Sequence, residues 1–411
     1  MTPRAPQRVD APYGITRPGA ARVALVHDWL VTFGGAEGLL AELLRCVPEA
    51  PLHVLVDFFA EESRRKLGAA RIETSFVQRL PYARRNYWYY APLMAAAVER
   101  FDLRGFDLVL SSSHAFAKGV LVGPDQLHVS YVHSPVRFAW DLQQYYLDCF
   151  GWTSRLRETA ALAAFHYLRM WDARTVAGVD LMLCNSEFVR RRIQKTYRRR
   201  AHVVYPPVDL ARFRLRADKE PHYLAGSFMN PFKRVDLVVQ AFTETPWREL
   251  RVFGDGPDLA RCMALAGPNV TFLGRLDDHA LVEELRAARA LVFAAPEDFG
   301  MLMAEAQACG TPVIALGHGG ASEIVRDLDH HTPTGALFAE ASIPALHDAL
   351  ERFEASSRVQ PEACRENARR FSSERFRGRM TQILELAWEL WSSARWPSDE
   401  AGLHGLLRAL A

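Results

Sequence analysis

Short apolar runs rich in β-branched residues alternate with stretches whose apolar positions recur every three or four residues. Runs of the first kind lie at 22–27, 52–56, 107–111, 128–132 and 180–184. Each reads as a strand buried on both faces. After the first run, Gly34 and Gly35 break the chain, and Leu39, Leu40, Leu43, Leu44 and Val47 then mark one face of a helix. The stretch 205–220 carries prolines and then charges, and reads as a linker. A second alternation follows it. Strands are expected near 222–226, 250–253, 270–273, 290–294 and 312–315, and helices near 234–243, 258–265, 279–288 and 301–309. From about 362 to 395 the pattern is helical, with several aromatic residues.

A strand, a glycine turn and a helix open the first half, and the two halves look like similar α/β units. Such alternation implies a parallel sheet covered on both faces, so the expected class is α/β with two Rossmann-like domains. The expected organisation is a loose tail at 1–20, a first domain at 21–212, a second at 213–375, and C-terminal helices at 376–411 that cross back to the first domain. The chain's 411 residues suit two domains at roughly 100–200 residues each. Its 50 basic and 48 acidic residues leave a net charge of +2, so nothing global points to nucleic acid. No apolar run is long enough to span a bilayer and no signal peptide is indicated. The six cysteines are scattered, as reduced core cysteines are, with no zinc or redox spacing. A cytoplasmic protein is expected.

Candidate chemistry concentrates at 294–310, which reads AAPEDFGMLMAEAQACG. Here a strand ends, a turn follows, and a helix begins near Phe299 and Gly300. Ligands of open α/β sheets bind at the carboxyl ends of strands, where the turn puts Glu297. A helix N-terminus offers free N–H groups and a positive dipole end to a diphosphate. Glu305 lies eight residues after Glu297, on the helix. Carboxylates accept paired hydrogen bonds from vicinal hydroxyls, so the two can grip a sugar and a ribose. A solvated loop glutamate and a helix-surface glutamate are the plainer readings of the spacing alone.

The surroundings decide between them. The motif resembles the E-x7-E signature of retaining glycosyltransferases of family 4, which have the GT-B fold. Phe299, Gly300, Glu305, Ala306, Gly310, Thr311 and Pro312 fall in its pattern. HDWLVTFGGAE (27–37), YVHSP (131–135), CNSEFV (184–189), YPPVDLARF (205–213), PFKRVDLVVQAF (231–242), FGDGP (253–257) and FLGRL (272–276) follow in family order. The resemblance implies two Rossmann-like domains facing each other across a cleft. It implies that Glu297 contacts sugar hydroxyls, that Glu305 contacts the ribose, and that N–H groups around Phe299, Gly300 and Met301 hold the diphosphate. Gly35 and Gly254 belong to the implied donor site. Lys233 is implied to neutralise the leaving diphosphate, aided by Arg234, and His133 to lie near the sugar and the β-phosphate. Lys233 alone reads as a helix-end lysine facing water, and His133 alone as a core or capping histidine. His27 and Asp28 end a strand and are weaker candidates for the cleft. The family usually has an arginine five or six residues before this lysine. Ser227 and Phe228 stand there, so Arg234 or Arg275 compensates or the phosphate is held more weakly.

On the acceptor side, Arg84 and Arg85 precede Tyr87, Trp88, Tyr89 and Tyr90, and 84–101 reads as a helix. It is either an ordinary half-buried helix or a membrane-facing one, since Tyr and Trp favour the bilayer interface and Arg favours anionic lipid. The basic run at 188–200 can add to this, or is a solvated face. The expected activity is retaining transfer of a hexose from a nucleoside diphosphate sugar, GDP-mannose above others, to a saccharide acceptor. That acceptor is expected to be polyprenyl-diphosphate-linked, and the enzyme peripheral on the cytoplasmic face of the inner membrane, on an anionic surface. The HDWL, GGAE and HSPVRFAWD stretches resemble bacterial mannosyltransferases of surface-polysaccharide assembly. No metal, cofactor or nucleic-acid partner is expected. A GT-B sugar-nucleotide 2-epimerase and a non-catalytic GT-B subunit that binds nucleotide sugar are the rivals.

Overall fold

The computed structural model describes residues 21–69, 71–149, 155–397 and 399–409. The expected tail at 1–20 lies outside them. The chain divides into two compact units. One takes residues up to Cys184, Arg190–Val204 and the residues from Arg377 onward; the other takes Asn185–Val189 and Tyr205–Phe376.

The first unit is built on seven strands: β1 Val23–Leu30, β2 Leu52–Asp57, β3 Ile72–Thr74, β4 Leu108–Ser113, β5 Leu127–Val132, β6 Leu181–Cys184 and β7 His202–Val203. Their order across the sheet is β3-β2-β1-β4-β5-β6-β7. The second unit has β8 Tyr223–Gly226, β9 Leu250–Phe253, β10 Val270–Gly274, β11 Ala290–Phe293, β12 Val313–Leu316 and β13 Gly335–Phe338, ordered β10-β9-β8-β11-β12-β13. Every pairing is parallel. β1, β2, β4 and β5 are buried at every position, which explains their unbroken apolar runs. The ten expected strands form. Three more form that the pattern does not mark, β3, β7 and β13; β3 and β7, of three and two residues, are too short to show a period.

Parallel strands send all their carboxyl ends to one edge. In each sheet the winding reverses once, between β1 and β4 and between β8 and β11, and the helices part there.

Two expectations change. Residues 84–101 are no single helix: Ala83–Asn86 is one short turn, Tyr87–Tyr90 a 3₁₀ turn, and Ala91–Val98 a helix with Pro92 in its first turn. Pro92 lacks the N–H a continuous helix would need. The basic run is also partly structural. Arg192 pairs with Asp141 at 2.7 Å, and Arg199 pairs with Glu400 while donating to the carbonyls of Val176 and Val179.

A buried ion pair ties the first unit together. Lys118 and Asp172 are both about 1% exposed and bonded to each other. Asp172 also accepts from Trp140 Nε1 at 2.7 Å and Tyr197 OH at 2.9 Å, and Lys118 Nζ donates to the Ala115 carbonyl at 3.0 Å. Removing one partner strands the other charge in a medium that solvates it poorly. Asp172→Ala is expected to destabilise the protein by about 3–5 kcal/mol, read from urea unfolding. A loss below about 1 kcal/mol would mean that water reaches Lys118.

Candidate functional site

The carboxyl edge of the second sheet gathers the residues singled out at 233–305. Lys233 follows β8 in the turn Pro231–Lys233, and Glu297 follows β11. These two strands flank the reversal, and the Lys233 ammonium bonds the Glu297 carboxylate across it. Both are mostly buried, at 21% and 17% exposure. The cation also lies 5.6 Å and 5.9 Å from the ring centroids of Phe232 and Phe293. An ion pair with apolar walls is screened less than one in open water. Any anion or hydroxyl entering here must share Lys233 or Glu297 with the other.

Gly300 caps the helix Met301–Ala308 at φ 104°, a left-handed conformation that glycine adopts without strain. The Phe299 side chain, at 3% exposure, is core: it packs on Tyr205 and Phe371 with centroids 5.8 Å and 5.2 Å away. Only its backbone is available to a ligand. Arg234 also sits at positive φ, 53°, and its guanidinium leans 3.4 Å from Asp236. Gly254 follows β9, and Arg275, exposed, follows β10, so both lie on the same edge of the sheet.

Glu305 lies one turn into the helix. Part of its surface is open, yet its carboxyl is set deep enough that burial pushes its pKa up to about 7, Arg212 opposing and Asp278 adding to the rise.

The sequence reading missed several parts of this edge. Gly320 N donates to the Glu297 carbonyl at 2.8 Å, and a Cβ on Gly319 would meet that oxygen at 2.3 Å. The 317–320 loop therefore presses on the Glu297 backbone and fixes it. Ser186 Oγ holds the Asp298 carbonyl, and the Glu323 carboxylate accepts from the N–H groups of Glu187 and Phe188 at 2.8 and 2.9 Å. A GHGG string and a lone serine give no sign of such distant partners.

The first sheet has its own polar cluster at its reversal. His27 and Asp28, on β1, are wholly buried. Asp28 accepts from four backbone N–H groups, His114 to Ala117, at 2.5–3.0 Å. Burial alone would raise its pKa; His114, His27 and those N–H groups outweigh that and lower it. Glu37 is lowered likewise, burial being outweighed by His27 and His114. Gly34 caps the helix Gly35–Cys46, its N–H donating to Glu37 at 2.9 Å, and Gly35, exposed, opens that helix. His133 directly follows β5, and its ring stands edge-on to Tyr131 and His114. Ser112, Glu37 and His114 are participants that the sequence pattern did not mark.

Of the proposed surface residues, Arg84, Arg85, Trp88 and Tyr89 are exposed, but Tyr87 is core, at 7% exposure and stacked near Trp29 and Trp88. Among the described residues no helix is long and apolar enough to cross a membrane.

Two parallel-sheet α/β units of this strand order define the GT-B fold. Anabaena HepE, solved with UDP and glucose, superposes with a TM-score of 0.63 at 17% identity, over 89% of this chain and 99% of that one. Sucrose-phosphate synthase of Thermosynechococcus elongatus superposes at 0.65 and 18% identity, with the same coverage of 89% and 99%. The model described as Glycosyltransferase Family 4 matches residues 33–212, and the one described as Glycosyl transferases group 1 matches residues 209–371. The chain belongs to the family 4 glycosyltransferases. It is 33% identical over 187 residues to a D-inositol 3-phosphate glycosyltransferase of Nocardia farcinica, a stretch covering 38% of this chain and 42% of the relative. It is 34% identical over 142 residues to a GDP-mannose-dependent monoacylated alpha-(1-6)-phosphatidylinositol monomannoside mannosyltransferase of Corynebacterium glutamicum, covering 30% and 35%. The chain spans less than half the length of these curated relatives.

The Glu305 carboxyl makes stability depend on pH. Its raised pKa favours the fold while the group stays protonated, and that advantage is lost as pH rises through about 7. Glu305→Gln is therefore expected to raise the melting temperature more at pH 8 than at pH 4.5. Equal shifts at the two values would show that the carboxyl is not held in its neutral form.

Proposed function

We propose that this protein is a retaining glycosyltransferase that moves a hexose, mannose from GDP-mannose, to a saccharide acceptor carried on a polyprenyl diphosphate. The observation that carries the reading is the Lys233–Glu297 pair spanning the reversal of the second sheet, beside the N-terminus of Met301–Ala308. On this reading the diphosphate takes Lys233 and the helix N–H groups, and Glu297, released, accepts from sugar hydroxyls. Glu305 accepts from the ribose. As the bond from C1 to the leaving oxygen breaks, negative charge grows on the diphosphate and Lys233 stabilises it. The acceptor oxygen attacks the same face, and its proton passes to the leaving phosphate. Arg234 and Arg275 are the cations offered in place of the missing upstream arginine. Mannose is favoured by the Corynebacterium glutamicum relative's GDP-mannose dependence.

Thermal-shift and transfer assays with GDP-, UDP-, ADP- and dTDP-sugars test this. GDP-mannose should raise the melting point most and donate its sugar. Lys233→Ala should lower kcat more than it raises KM, because the cation matters most when charge builds. A purely KM effect would assign Lys233 to ground-state binding. Turnover of the sugar nucleotide without an acceptor would favour an epimerase.

The lipid-linked acceptor gives the exposed basic and aromatic surface of the first unit a purpose. Tyr82 and Tyr89 are 80% and 70% exposed and Trp88 46%, with Arg79, Arg84, Arg85 and Arg100 exposed around them. Each basic residue near an anionic bilayer contributes about 1 kcal/mol, screened by salt. The protein should co-sediment with vesicles containing anionic lipid at low salt and poorly with neutral ones. Arg84→Glu with Arg85→Glu should abolish this and leave nucleotide binding intact, because Lys233 and Glu297 belong to the other unit. Wild-type protein that stays in the supernatant at low salt would end the membrane reading.

A further inference from the structure

At the reversal of the first sheet, three side chains form one line of hydrogen bonds. His133 Nε2 lies 2.9 Å from Ser112 Oγ, and that oxygen lies 3.1 Å from His27 Nδ1. His27 Nδ1 is also 3.1 Å from the carbonyl oxygen of Ser112. His27 and Ser112 face each other in the β1–β4 register, so this geometry is built into the sheet.

A hydroxyl has one proton, so the direction of the line is determined once either end is known. The carbonyl decides it. A carbonyl oxygen only accepts, so His27 Nδ1 must carry a proton; a bare ring nitrogen there would set lone pair against lone pair. This holds whether or not His27 is also protonated on Nε2, which faces Glu37 Oε1 at 3.8 Å. With the Nδ1–H of His27 aimed at Ser112, the Ser112 proton must point the other way and donate to His133 Nε2. That nitrogen is then the acceptor, and the ring proton of neutral His133 sits on Nδ1.

We propose that Ser112 is a positioning residue that locks His133 in its Nδ1–H tautomer, so that His133 meets the substrate as a neutral hydrogen-bond donor and not as a base. The tautomer follows from the geometry alone; its consequence for transfer rests on the reading of the protein as a glycosyltransferase. Burial, with His114 and His27 nearby, holds the His133 pKa down to about 3, so the ring stays neutral in working buffers. In that state one ring nitrogen already accepts from Ser112 and the other carries the proton. No lone pair remains to take a proton from an acceptor hydroxyl. The Nδ1–H suits a phosphate or sugar oxygen, and it costs no desolvated positive charge.

The neighbouring serine supplies a control. Ser111 Oγ lies 2.9 Å from His128 Nε2, while His128 Nδ1 lies 2.9 Å from the Gly178 carbonyl. The same logic fixes the His128 tautomer, but that ring is wholly buried and serves the core.

The test is histidine ¹⁵N NMR on the full, unliganded chain, with the His133 signals assigned by their loss in His133→Asn. Wild-type His133 should show the Nδ1–H pattern. Ser112→Ala should turn it into a mixture, Ser112→Thr should keep it, and Ser111→Ala should leave it alone. His27 should stay Nδ1–H throughout, since the Ser112 carbonyl remains, which also reports that the local fold is intact. In transfer assays Ser112→Ala should lower kcat about tenfold, the worth of one hydrogen bond, and Ser112→Thr should recover most of it. Wild-type His133 protonated on Nε2, or an unchanged tautomer in Ser112→Ala, overturns the lock. A changed tautomer with unchanged kcat overturns its role in transfer. Absence of transfer from any sugar nucleotide refutes the proposed activity, while the spectra still decide the lock.

Discussion

Parallel strands cannot choose where their loops go. Each sheet here sends every carboxyl end to one edge, and a single reversal of winding opens a gap in the helix layer at that edge. Everything chemical in the molecule follows from that constraint. Lys233 and Glu297 lie far apart in sequence, and they meet because β8 and β11 are neighbours. His27 and Ser112 meet because β1 and β4 are. The helices contribute N-termini to the same edge, so backbone donors and side-chain charges arrive together.

The two reversals are filled by opposite physics. In the first unit the charge of Asp28 is fully answered by its own chain: four N–H groups converge on one buried carboxylate. The Ala115 carbonyl in that turn accepts from Lys118, whose charge is in turn met by Asp172. Such a network is rigid because each member would be costly to leave unpaired. In the second unit Lys233 and Glu297 answer each other at a mostly buried site, and a ligand that divides them must supply each with a new partner.

Much of this was legible in the sequence. Unbroken apolar runs placed ten strands, because strands covered on both faces have no polar side to confuse the pattern. Glu297, Gly300 and Glu305 could be placed at a strand end and on a helix, because turn chemistry and period are local signals. What escaped was set by distance along the chain. Ser112 sits in a run of three serines that looks like a weak strand end; its importance comes from His27, 85 residues earlier. The 84–101 stretch looked helical because its alanines are, but Pro92 divides it, and Tyr87 turned inward because Trp29 offered it a buried face. The basic run at 188–200 looked like a surface feature, yet Arg199 is absorbed by carbonyls and a glutamate about 200 residues later, a pairing no local pattern encodes.

The departure at Ser227 and Phe228 takes its meaning from the same contrast. Phe228 is 64% exposed, so where the family resemblance calls for a phosphate arginine at 227 or 228, position 228 presents a phenyl ring to water. The Lys233 charge is already spoken for by Glu297, and Arg234 leans toward Asp236. On the proposed reading, Arg275 is the remaining cation on this edge, and a diphosphate entering beside Lys233 would draw largely on exchange. It would take Lys233 from Glu297, and the freed carboxylate would then need donors, which sugar hydroxyls would supply and water would supply less specifically. On that reading a bare nucleotide would leave Glu297 poorly answered, whereas a nucleotide sugar would satisfy both halves of the pair. If the proposed reading holds, a site with fewer cations would tie phosphate binding to sugar binding more closely than an arginine-rich one, because the same ion pair would be opened for the first and closed by the second.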